Sequence, residues 1–125
     1  MELSQEMLKK KTWAVVGAST HPEKFGYKIY KKLKEHGYRV YPINPGHDMI
    51  DGDKCYSSLS ELPEKPEVID MVVNPRIGRN IVEEAAELGI SFIWLQPGTH
   101  NEELTQLIEE KGIAYVKDCV LVALK

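Results

Sequence analysis

Short continuous apolar runs alternate along the chain with stretches in which apolar residues recur every three or four positions. Thr12-Trp13-Ala14-Val15-Val16 is the first such run, and it ends in Gly17. A short β-rich run of this kind predicts a strand covered on both faces. Phe25, Ile29 and Leu33 then repeat at helical spacing with lysines between them, and Gly37 suits a left-handed stop. Arg39-Val40-Tyr41-Pro42-Ile43 predicts a second strand, with Pro42 marking where it leaves the sheet. Residues 48–66 are irregular by pattern, apart from a helical turn at 58–62. Val68 to Val73 predicts a strand interrupted by one polar residue, Asp70. Asn74-Pro75 opens a helix whose apolar stripe is Ile77, Ile81, Ala85 and Leu88, stopped by Gly89. Residues 90–95 predict a strand, and Gln96-Pro97-Gly98 a tight loop. Thr99 and Glu102 match a capping box for a helix running to Gly112. Residues 113–116 predict the last strand. Residues 3–10 predict a short leading helix with Ser4 as its cap, and the apolar tail 120–124 is unassigned.

Strands alternating with helices from end to end predict an α/β, doubly wound, mainly parallel sheet of about five strands with helices on both faces. The length of 125 residues predicts one domain spanning residues 1–125. In open parallel sheets, ligands bind outside the carboxyl ends of the strands. Four loops fall at such ends, at residues 17–24, 44–47, 74–76 and 96–99, and all are rich in Gly, Pro, Asn, Ser or Thr. Such residues permit close backbone approach and offer small polar groups.

The first loop carries the most chemistry. Gly17 leaves space for a ligand, Ser19 and Thr20 add hydroxyls, and Lys24 or Lys28 adds a cation. After the first strand of a βαβ unit, helix N–H groups in this place can face a phosphate. The loop Gly17-Ala18-Ser19-Thr20-His21-Pro22 lacks the second and third glycines of the dinucleotide fingerprint. The second strand ends in Asn44-Pro45, not in the carboxylate that would meet a ribose 2′-hydroxyl. This turns the reading away from NAD. A phosphate-binding P-loop is absent too.

Three segments carry a family resemblance: Ala14-Val15-Val16-Gly17-Ala18-Ser19, Gly37-Tyr38-Arg39-Val40-Tyr41-Pro42-Ile43-Asn44-Pro45, and Trp94-Leu95-Gln96-Pro97-Gly98. They resemble the stand-alone CoA-binding domain family, which is similar to the N-terminal CoA-binding domain of the succinyl-CoA synthetase α subunit. The resemblance implies a Rossmann-like fold that holds coenzyme A at the strand ends. By position, it implies that Gly17, Ala18 and Ser19 contact the pyrophosphate, with Gly26 and Tyr27 beside it on the first helix; Thr20, Lys24 and Phe25 of the first loop and helix start join them as expected cofactor-binding residues. It implies that Asn44 and Pro45 border the adenosine, that Val73, Asn74 and Pro75 line the middle, and that Gln96, Pro97 and Gly98 sit near the pantetheine arm. Two departures stand out. Gly46-His47 replaces the basic residue that often follows Asn-Pro and suits a 3′-phosphate, and the tail after Lys117-Asp118-Cys119 is apolar rather than charged.

The net charge of −3 disfavours general nucleic-acid binding, which needs an excess of Lys and Arg. The N-terminal segment has no apolar signal core and no run is long enough to span a membrane, so a cytoplasmic location is expected. Two cysteines, Cys55 and Cys119, make no disulfide framework and fit a reducing compartment. No metal spacing occurs, and none of the four histidines is assigned catalysis. Cys119 follows the last strand, where a thiol can meet the CoA thiol in a mixed disulfide or sit inert. The sequence therefore predicts a protein that binds coenzyme A or acyl-CoA without catalysis of its own. Two alternatives stay open: an NAD(P)- or other nucleotide-dependent enzyme or redox sensor, and the CoA-binding half of a ligase completed by a separate subunit. The apolar tail packs on the core or forms a homodimer contact.

Overall fold

A computed structural model describes residues 2–124. Five parallel strands form the central sheet: β1 (Thr12–Val16), β2 (Arg39–Ile43), β5 (Val68–Met71), β6 (Phe92–Leu95) and β7 (Ala114–Lys117), in the order β2-β1-β5-β6-β7. The helices are α1 (Leu3–Leu8), α2 (Phe25–Glu35), α3 (Pro75–Leu88), α4 (Glu102–Glu110) and a short α5 (Val120–Ala123). The fold is thus a doubly wound, Rossmann-like α/β sheet, as the alternation predicts.

Alternation along the strands builds two cores. Ala14, Val16, Ile69, Met71, Ile93 and Leu95 face one side, where Val82 and Ala85 of α3 and Leu104 and Ile108 of α4 cover them. Trp13, Val15, Val68 and Trp94 face the other, under Met7 of α1, Ile29 and Leu33 of α2 and Val120 of α5. β1 is buried at every position, which explains why its sequence is a continuous apolar run and not an alternating one. Each such aliphatic side chain contributes about 1.5–3 kcal/mol on burial. The direction of winding across the sheet reverses between β1 and β5: the chain steps from β1 outward to β2, then crosses back to β5. That switch point opens a crevice at the carboxyl ends of the strands.

Several local expectations give way. Pro42 stays within β2, opposite Val15, because β2 has only one continuous neighbour and the missing N–H costs no central ladder bond. The stretch 48–66, irregular by pattern, contains a hairpin, β3 (Met49–Ile50) and β4 (Asp53–Lys54), while the helical turn expected at 58–62 is present as a 3-10 turn at Leu59–Glu61. Asp51 and Gly52 turn the hairpin with φ of 52° and 82°, the two positive values that a type I′ turn demands. Ser4 lies inside α1, whose cap position is Glu2. Ile77 is 46% exposed, and α3 instead buries Gly78, Val82 and Ala85. The cap of α4 is Asn101, which accepts from the Leu104 N–H at 2.9 Å, while Thr99 donates to the Gln96 carbonyl at 2.7 Å. The tail forms α5, with Val120 buried in the second core and Val122 exposed.

Candidate functional site

Two glycines bring the first strand and the first crossover helix into contact. Gly17 leaves β1 with φ 101°, and a Cβ there would lie 3.0 Å from the Val72 carbonyl group and from Val73. Gly26, in the first turn of α2, abuts the Gly17 carbonyl so closely that a Cβ would fall 2.1 Å from its oxygen. Gly26 therefore fills the role of the fingerprint's last glycine, close helix–strand packing, at a longer spacing. The helix N-terminus is thereby seated directly over the switch point.

That N-terminus has no side-chain cap. Lys24 occupies the cap position in extended conformation and makes no side-chain cap hydrogen bond. Asn74 and Asn101 do cap α3 and α4, through the Ile77 and Leu104 N–H groups. The first donors of α2 thus face the crevice with the positive end of the helix dipole behind them.

The crevice is a cavity of about 690 Å³, within the range of small-molecule and cofactor sites. Of the residues picked from the sequence, Gly17, Ser19, Lys24, Phe25 and Gly26 line it from the first loop and α2. Asn44, Val73 and Asn74 line it from the ends of β2 and β5, and Gln96, Pro97, Gly98 and Cys119 close the far side. The others do not line it. Ala18 is buried, and its carbonyl accepts from Asn44 Nδ2 at 2.8 Å. Thr20 and Pro45 point to solvent, Tyr27 is half-buried on α2, and Pro75 forms the first turn of α3. Sequence reasoning missed His21, Glu23, Ile29, His47, Val72 and Thr99, which also line the cavity. Four of these lie within the loops already singled out, and only finer placement within them was lacking. Val72 and Ile29 were hidden as ordinary strand and helix positions.

Several polar side chains are committed to holding the site. Ser19 is buried and accepts from the His21 N–H at 3.1 Å, which leaves its hydroxyl hydrogen free to donate into the cavity. Asn44 uses both ends: it bonds Ala18 and accepts from the Gly46 N–H at 2.8 Å. It therefore ties the end of β2 to the first loop. Gln96 donates to Asp70 at 2.7 Å and accepts from the Val120 N–H at 3.3 Å. Phe25 is 64% exposed at the rim, with the Lys28 ammonium 5.7 Å from its ring centre. Cys119 is half-buried in the wall, whereas Cys55 is buried away from it, with its thiol pushed up by burial. The described residues contain no cluster of His, Cys, Asp or Glu able to hold a metal ion, and no helix among them is long and apolar enough to cross a membrane.

The arrangement suits a ligand that combines anionic groups with a long apolar or amide arm. Donors and a helix dipole gather at one end, and Val72, Val73, Pro97 and Cys119 line the rest. A family model described as a CoA binding domain matches residues 11–125. The uncharacterized protein YneT of Bacillus subtilis is 31% identical over 123 residues, covering 98% of this chain and 91% of that one. Subunit alpha of the ADP-forming acetate–CoA ligase II of Pyrococcus furiosus is 37% identical over 81 residues. That match covers 64% of this chain but only 18% of the ligase subunit. Among solved structures, a conserved hypothetical protein from Pyrococcus furiosus superposes with a TM-score of 0.84 at 41% identity, covering 90% of this chain and 98% of that one.

Proposed function

The chain belongs to the CoA-binding domain family, and from that premise we propose that its cavity holds coenzyme A or an acyl-CoA, without catalysis of its own. The observation that carries this reading is the uncapped N-terminus of α2, packed through Gly26 onto Gly17 at the mouth of the cavity. It supplies the pyrophosphate site: backbone donors and the helix dipole from α2, the Ser19 hydroxyl, and the Lys24 ammonium at the rim. Asn44 and His47 border the adenosine end, and Phe25 offers a flat apolar face at the rim. Val73 and Asn74 flank the middle. Gln96, Pro97, Gly98 and Cys119 flank the pantetheine end, where the Cys119 thiol stands next to the ligand thiol. Ala18 acts indirectly, by anchoring Asn44, and Thr20, Tyr27, Pro45 and Pro75 shape the loops around the ligand. The end of β2 presents Asn44 and no carboxylate, which favours CoA over NAD.

A second reading has one observation in its favour, the likeness to a ligase subunit. In it the chain is the CoA-holding part of a ligase whose remaining chemistry lies in a separate subunit. Both readings require CoA in this cavity. Thermal denaturation with each ligand tests that requirement, because ligand at about 100 times its Kd adds about 2.7 kcal/mol of stability. CoA is expected to raise the melting temperature by several degrees while NAD leaves it unchanged. A rise with NAD alone contradicts the assignment.

A further inference from the structure

Asp70 lies in the middle of β5, in register with Val15 on one side and Trp94 on the other. It shares their face of the sheet and is fully buried. Gln96 Nε2 donates to its Oδ1 at 2.7 Å, and Oδ2 has no partner among the described residues. A carboxylate has about four acceptor positions, so one donor leaves a buried negative charge poorly compensated. A protonated carboxyl needs much less. Burial accordingly pushes this group up to about 7, with the Gln96 bond acting weakly in the opposite direction.

Among the described residues, no charged group contributes to the shift of Asp70. The buried side chains on its face include Val15 of β1, Trp94 of β6, Ile29 and Leu33 of α2, and Val120 of α5, all apolar. The titratable groups of the adjoining cavity are His21, Glu23, Lys24, His47 and Cys119. None of them bonds to Asp70 or contributes to its shift. Its one polar contact, Gln96, belongs to the cavity wall and also accepts from the Val120 N–H. Val120 is the first residue of α5, directly after Cys119. One unbroken chain of contacts thus runs from the central strand to the wall of the cavity.

We propose that Asp70 and Gln96 form a proton-linked brace: with a proton on Asp70, Gln96 holds the start of α5 and the Cys119 wall in place, and ionisation of Asp70 releases that wall. An ionised Asp70 must recruit a second donor. Gln96 is the polar side chain beside it, and its bond favours the ionised carboxylate; turning the amide further towards Oδ2 draws Oε1 away from the Val120 N–H and frees the first amide of α5. The brace stands on these contacts alone. Its bearing on coenzyme A, namely tighter binding at the acid side of neutrality, rests on the proposed function.

Amide hydrogen exchange of the ligand-free chain tests the brace. The probes are the amides of Val120, Val122, Ala123 and Leu124, corrected for intrinsic rates and referenced to α4, at pH 5.5 and 8.5. Protection of these amides is expected to fall about tenfold or more with rising pH in the wild type. It is expected to stay level in Asp70→Asn, which keeps the acceptor for Gln96 and mimics the protonated acid. Asp70→Leu, nearly isosteric and apolar, is expected to be level too and serves if the amide variant fails to fold. Protection in the wild type that ignores pH overturns the proposal, as does an equal fall in either variant. Titration with CoA at the two pH values separates the two claims. Weaker binding at pH 8.5 in the wild type only extends the brace to the ligand. No binding at either pH overturns the CoA reading and leaves the exchange result to decide the brace.

Discussion

Gly26 has no room for a methyl group. The nearest atom is a backbone oxygen, which cannot rotate aside, so Gly26→Ala must push α2 off the first strand. Overpacking of this kind costs about 1–3 kcal/mol. Denaturant unfolding is expected to show a loss at the upper end of that range, and CoA binding is expected to fall with it because the α2 N–H groups leave the cavity. A Gly26→Ala variant as stable as the wild type contradicts the packing described. Phe25 next to it behaves in the opposite way: it is exposed, so Phe25→Ala is expected to leave stability within about 0.5 kcal/mol. The same change is expected to weaken CoA binding several-fold by calorimetry if the ring covers the ligand. Unchanged affinity removes Phe25 from the site.

The caps give the element scale its clearest test. Asn101 caps α4, although Thr99-x-x-Glu102 carries the capping-box pattern and Asn101-x-x-Leu104 does not. Pattern alone cannot separate two cap-forming residues two positions apart; the choice falls to Asn101 because Thr99 turns its hydroxyl back to the Gln96 carbonyl. Asn101→Ala is expected to cost about 1 kcal/mol in urea unfolding, in line with a lost cap. Loss of nothing there would return the cap to Thr99. The five sheet strands were legible because β1, β5 and β6 are buried almost throughout and so read as short apolar runs, broken only by Asp70 in β5. The hairpin β3–β4 was not, because two-residue strands have no period to read. Only Asp51-Gly52 signalled it, and its docking depends on distant partners: Lys34 to Asp53 at 2.5 Å and Tyr30 to the same carboxylate.

At the scale of the whole molecule, stability is squeezed from two sides of the pH range. Asp70 is raised from 3.8 to about 7 by burial, so its contribution is full below 3.8 and is lost as pH rises through about 7. Asp51 and Asp53 are lowered by hydrogen bonds from Lys34, with Lys31 and Tyr30 adding to them respectively. Their contribution is present above the ordinary carboxylate value and is lost as pH falls through their lowered ones. The melting temperature is therefore expected to peak on the acid side of neutrality. It is expected to decline from about pH 4 to pH 7 in the wild type and to level off above that, but not to decline over this window in Asp70→Asn; a parallel decline in both assigns the loss elsewhere. The site as a whole was legible in the sequence as four loops at strand ends, because parallel topology forces those ends together. What stayed hidden was the division of labour within it. Asn44 and Gln96 look like ligand groups in one dimension, yet their side chains bond to Ala18, Gly46, Asp70 and Val120. The central claim is that coenzyme A lies in the cavity against the N-terminus of α2. Titration of the labelled protein with CoA, followed by backbone amide NMR, tests it most directly. The account predicts that the amides of Gly17, Ser19, Phe25, Gly26 and Gly98 shift together and saturate with one equivalent. Shifts confined to the opposite end of the sheet, around Glu67 and Ser91, or no shifts at saturating CoA, would contradict it.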